Sequence, residues 1–165
     1  MRAVFLLAIL ASPLAAEDIV FDGMIAMRCW EGSGVDCAGL AARRCIEESP
    51  EGLGTALYSL CFYREAEIWE KQVEIEMAAL TEQASEDDTA NAEYYDTSTL
   101  PGSQVLALEE MQAAWEGFRG ARCDAVAAEW AGGTGRQPAR AECIMRMTAQ
   151  QALYLARMPE NRIAQ

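Results

Sequence analysis

The chain has 165 residues, a formal net charge of −13 and no histidine. Such an acidic excess opposes binding to nucleic acid or anionic lipid and favours a basic partner. The missing imidazole removes the usual general base, the Ser–His and Cys–His nucleophile pairings and the commonest metal ligand.

Residues 1–16 read as a secretory signal peptide. Arg2 supplies a positive start, Ala3 to Leu10 form a short apolar run, Ser12-Pro13 breaks it, and Ala15-Ala16 precede Glu17-Asp18. The run falls well short of the roughly 20 residues a bilayer span requires. Cleavage after Ala16 removes Arg2, moves the formal charge from −13 to −14 and leaves no membrane anchor, so the mature chain is expected in the periplasm or outside the cell.

Residues 17–36 form an N-terminal extension that carries Cys29. A short helix is expected over 37–47, with Asp36 placed to cap its first turn, and Ser49-Pro50-Glu51-Gly52 ends it. Thr55 can cap the next helix, which reaches about Gln83 without Gly or Pro. Its residues Phe62, Ala66, Trp69, Val73, Met77 and Leu80 recur at intervals of three and four, the signature of one buried helical face. Residues 85–102 lose that period and turn acidic, which predicts a loop whose large side chains are Tyr94 and Tyr95. Those two tyrosines either pack back on the helices or form a recognition loop. Ser103 caps a third helix to about Trp130, with Leu108, Met111, Trp115, Phe118, Arg122 and Val126 as its inner stripe. Beyond the Gly132–Gly135 turn, Pro138 suits the first turn of a fourth helix, carried to Pro159 by Ile144, Met147, Thr148, Gln151, Leu155 and Met158. Residues 159–165 are a tail. With no period-two pattern, the expected fold is all-α: a small disulfide-stapled bundle of two helical hairpins joined by an acidic loop.

Six cysteines in an exported chain point to disulfides rather than zinc thiolates. The midpoints of Cys29/Cys37, Cys45/Cys61 and Cys123/Cys143 fall at positions 33, 53 and 133, each inside a glycine turn. Residues equidistant from a hairpin turn face one another, as a disulfide requires. The expected bridges are therefore Cys29–Cys37, Cys45–Cys61 and Cys123–Cys143, with Cys45 and Cys61 as alternative partners for Cys29. Each would add roughly 2 to 3 kcal/mol by restricting the unfolded chain.

The sequence contains no phosphate-binding loop, dinucleotide fingerprint, Ca²⁺ loop or zinc spacing, so neither a cofactor nor a metal is expected. Glu65, Glu70, Glu74 and Glu76 are the carboxylates a glycosidase would need, but their spacing along one helix reads as a solvated face. The chemistry points to a binding or structural module rather than an enzyme.

The C-terminal half, MQAAWEGFRGARCDAVAAEWAGGTG followed by AECIMRMTAQQALYL, resembles the LprI-like family of exported helical domains, whose founding members inhibit lysozyme. The matching positions are Gln112, Trp115, Phe118, Arg119, Cys123, Gly132-Gly133-Thr134, Cys143 and Thr148. Cys45 and Cys61 look like the family's first cysteine pair, and the resemblance spans about 45–158 within a helical domain over 37–158. Glu70 stands where the family usually has Asp, and Gln151 where it has Arg; an ion pair between those positions would be altered at both ends here. Val73-Glu74 and Met77 also depart from the usual Leu-Asn and Tyr. The resemblance implies an acidic, non-catalytic binder of a basic lysozyme-type glycosidase that blocks its cleft with a protruding loop. The Tyr94-Tyr95 loop and the Gly132-Gly133-Thr134 turn are the candidates for that contact. The alternative is an envelope interaction module without inhibitory activity.

Overall fold

A computed structural model describes residues 19–32, 37–50, 53–96, 99 and 102–162. The expected signal peptide, the cap Asp36 and the last residues of the tail lie outside them. Five helices follow in order: α1 (Met24–Gly32), α2 (Leu40–Glu48), α3 (Gly54–Tyr94), α4 (Gln104–Ala128) and α5 (Arg136–Arg162). No strand occurs among the described residues.

Cross-helix contacts set the topology. Arg140 on α5 reaches Tyr63 on α3 and Asp124 on α4. Further along, Arg119 on α4 reaches Glu70 on α3 and Thr148 on α5. Asp88 on α3 then meets Ser103 at the start of α4. The α3 and α5 numbers rise together while those of α4 fall, so the three long helices run up, down and up. α5 lies along α3 in the most extensive helix pairing of the fold. Its Ala141, Ala149 and Ala152 are buried, and such short side chains let two helices approach closely. The core between them is Leu57, Phe62, Trp69, Val73 and Leu80 from α3 with Met145 and Leu155 from α5.

α1 and α2 pack across the base of this bundle. The structure pairs Cys29 with Cys37, Cys45 with Cys61 and Cys123 with Cys143, at Cα separations of 5.5, 5.8 and 5.5 Å. All three bridges sit at this end. Trp30 of α1 tilts against Trp69, with ring centroids 5.7 Å apart. The extension thus contains a helix that the residue pattern did not signal.

The main departure from expectation is at residues 85–94, where α3 continues instead of becoming a loop. Ala84 is the last buried residue of α3. Beyond it the helix outruns α5, has no core to face and therefore carries no apolar stripe. Loss of periodicity there marks loss of a packing partner, and with neither Gly nor Pro the helix persists to Tyr94. Other corrections are smaller. Thr55 is not the cap, because α3 begins one residue earlier at Gly54, after Leu53, with no side-chain cap. α2 starts at Leu40 rather than at 37, behind Gly39 in the left-handed region (φ 90°). α4 turns Phe118 and Arg122 to solvent and buries Leu108, Cys123 and Ala127, with Met111, Trp115 and Arg119 half-buried between them. α5 passes through Pro159 to Arg162.

Candidate functional site

The motif residues of α4 converge where the three long helices cross. Arg119 Nη1 donates to Glu70 Oε1 at 3.0 Å and to Thr148 Oγ1 at 2.8 Å, and its guanidinium lies 4.8 Å from the centroid of the Trp115 ring. Thr148, fully buried, donates its own hydroxyl hydrogen bond to the Ile144 carbonyl at 2.8 Å. One turn up, Gln151 Nε2 donates to Gln112 Oε1 at 3.1 Å. Glu70 and Gln151 therefore do not form one pair: Glu70 holds Arg119, and Gln151 is held by Gln112. These contacts tie one helix to another through charge-assisted and neutral hydrogen bonds. Among them opens a cavity of about 280 Å³, lined by Val73, Met77 and Trp115, by Gln112, Arg119 and Thr148, and by the exposed Glu70, Glu74 and Glu116.

Glu65 departs from its expected place on a solvated face. It is fully buried, and its carboxylate accepts from Gly39 N at 2.6 Å, Ala42 N at 2.7 Å and Trp69 Nε1 at 3.0 Å. It thereby satisfies the orphan amides at the start of α2 from another helix, a role that spacing along α3 alone does not signal. Glu70 and Glu74 remain exposed, and Glu76 accepts from Gln72 Nε2 at 2.6 Å.

Asp88 performs the same service at the other end. It accepts from Gln104 N at 2.8 Å, from Ser103 Oγ at 2.7 Å and from Val105 N at 3.3 Å, while Ser103 Oγ accepts from Leu106 N at 3.2 Å. The Gln104 amide above all, then the Ser103 hydroxyl, hold the Asp88 pKa below its ordinary value. The expected cap at Ser103 is thus present and is itself anchored to α3.

The two candidate contact loops lie at opposite ends. Tyr94 and Tyr95 close α3 at the far tip, their rings edge-on at 5.0 Å; Tyr94 is 83% exposed. Gly132-Gly133-Thr134 lies at the base, where Gly133 N donates to the Trp130 carbonyl at 2.8 Å. A β-carbon on Gly135 would overlap the Trp130 ring. A groove of about 590 Å³ opens beside this turn, between Tyr58 and Phe62 of α3 and Trp130.

Charge separates along the same axis. Residues 72–118 contain eleven of the 26 acidic residues and none of the 13 Lys and Arg; the rest of the chain holds fifteen acids against all thirteen bases. The upper half of α3 and most of α4 thus form an acid-only arm. Among the described residues, no group of three His, Cys, Asp or Glu could hold a metal ion, and no helix is long and apolar enough to cross a membrane.

A family model described as "Lysozyme inhibitor LprI" matches residues 45–155. The chain belongs to the LprI family. No curated protein and no solved structure matches it. The LprI span takes in Cys45–Cys61, Cys123–Cys143, the Arg119 cluster and the whole acid-only arm. It leaves out α1 and the Cys29–Cys37 bridge.

Proposed function

We propose that this LprI-family chain is an exported, non-catalytic binding protein that docks on a basic lysozyme-type glycosidase and blocks its cleft through the acid-only arm. One observation carries this reading: residues 72–118 contain eleven carboxylates and no Lys or Arg. A single-sign projection of this kind steers encounter with a basic protein and sets salt sensitivity, because exposed charges are screened beyond about 8 Å at physiological ionic strength. The three disulfides suit an oxidising compartment outside the cytoplasm. Of the two candidate loops, the arm's Tyr94-Tyr95 tip fits the role better. It projects beyond α5 and carries exposed aromatic area, which binding surfaces favour, whereas Gly132–Thr134 sits where both charge signs are mixed.

A cell-wall clearance assay with c-type, g-type and i-type lysozymes, at low and physiological salt, tests this. Clearance by at least one enzyme should slow at equimolar inhibitor. No slowing with any of them at tenfold excess would end the inhibitor reading.

A second reading, an envelope interaction module without inhibitory activity, draws on the basal groove. Tyr58 and Trp130 are 45% and 53% exposed beside it, an apolar surface suited to a protein partner. Crosslinking in the native envelope should trap one endogenous protein at that groove if this reading holds.

A further inference from the structure

We infer that the cavity at the Arg119 cluster is a receptor for one basic side chain, arginine or lysine, presented by the partner protein. This inference rests on the docking proposed above and names the chemistry at the root of the arm. The cavity of about 280 Å³ is lined by the apolar Val73, Met77 and Trp115, by Arg119, and by the exposed carboxylates Glu74 and Glu116. An aliphatic stem fits such an apolar lining while its charged head reaches the carboxylates.

The fold already displays the recognition chemistry. Arg119, the protein's own guanidinium at this spot, rests 4.8 Å from the Trp115 centroid and bonds Glu70 at 3.0 Å. A second cation would meet the same ring with Glu74 and Glu116 in place of Glu70, beside the Arg119 guanidinium that also lines the cavity. Glu70 is consumed by Arg119, so it offers a visitor little. Glu74 and Glu116 differ. The Lys71 ammonium is 3.9 Å from Glu74 with both side chains over 70% exposed, a geometry worth little in water. Among the described residues, Glu116 accepts from the neutral amide of Gln112, at 3.1 Å. Residues 72–118 hold no Lys or Arg, so beyond the exposed Lys71 the segment offers Glu74 and Glu116 no cation of its own. A partner's cation is the species that completes them.

The test uses the full mature chain and small probes rather than the partner. The indole N–H resonance of Trp115 is followed by NMR during titration with N-acetyl-arginine amide, and separately with N-acetyl-citrulline amide, its neutral counterpart of similar shape. The expected result is a saturable shift at Trp115 with the arginine probe, none with citrulline, and unmoved resonances for Trp30, Trp69 and Trp130. Glu74→Gln with Glu116→Gln should weaken the arginine response at least tenfold while the far-UV CD spectrum stays unchanged. A silent Trp115, or equal responses to both probes, overturns the pocket. If Trp115 responds but no lysozyme is slowed, the pocket stands and the glycosidase reading falls. If lysozyme is slowed equally by the wild type and the double variant, the pocket falls and the glycosidase reading stands.

Discussion

Outside residues 72–118 the chain carries all thirteen basic residues against fifteen acids, and the base of the bundle holds three disulfides and a buried carboxylate; the arm has no disulfide and no base, and no residue of α3 beyond Ala84 is buried. One continuous helix, α3, belongs to both regions. The base is constrained from several directions at once, so its side chains are committed to packing and capping. The arm's outer end is joined by Asp88 with Ser103, its lower part by buried Leu108 and the Gln112–Gln151 bond, and most of its carboxylates face solvent. That division assigns stability to one end and recognition to the other, and substitutions should separate accordingly.

The largest effect is expected at Cys45–Cys61. Replacing both cysteines by alanine should cost about 3 kcal/mol in denaturant unfolding, through lost restriction of the unfolded loop. A loss below about 1 kcal/mol would mean that the base does not depend on its staples. Next is Glu65→Ala, which strands two backbone amides and the Trp69 indole N–H in a dry site. A loss of about 2 to 3 kcal/mol is expected, with a change in Trp69 fluorescence.

Ser103→Ala should cost about 1 kcal/mol as a lost cap, read best as faster hydrogen exchange at Gln104 to Leu106, with the base unaffected. The joint should also depend on pH. The Asp88 pKa is lowered in the folded state, so its contribution is complete above the ordinary Asp value and fades as pH falls through the folded one. Arm amides should therefore lose protection in acid before the base does, and Asp88→Asn should remove that dependence. The smallest stability effect belongs to the arm surface. Glu109→Gln should stay within about 0.5 kcal/mol of wild type.

Much of the base was readable from residue spacing. The glycine midpoints at 33, 53 and 133 located all three bridges, and the Phe62-to-Leu80 stripe located the buried face of α3. Ser103 was legible as a cap because its role is local. What stayed hidden depends on partners distant in sequence. Glu65 acts on amides 23 and 26 residues away, so its neighbours in the chain look like those of any solvated glutamate. Asp88 likewise serves α4 across the turn. Periodicity does not signal the helix over residues 85–94, because it reports a facing core and here none faces it. Phe118 and Arg122 were placed inward because a stripe with steps of three and four allows two adjacent faces, and only packing against α3 and α5 selects between them. The acid-only span from 72 to 118 was visible in the sequence all along; the chain-wide charge concealed its segregation.

Calorimetric titration of c-type lysozyme with two charge-matched quadruple variants tests the division most directly. One carries Glu82, Glu86, Glu109 and Glu110→Gln on the arm; the other carries Glu31, Glu47, Glu67 and Glu129→Gln outside it. The arm variant should bind at least tenfold more weakly than wild type and lose most of its salt dependence, while the other stays within threefold. Equal weakening by the two sets would contradict a localised arm and reduce the interaction to net charge.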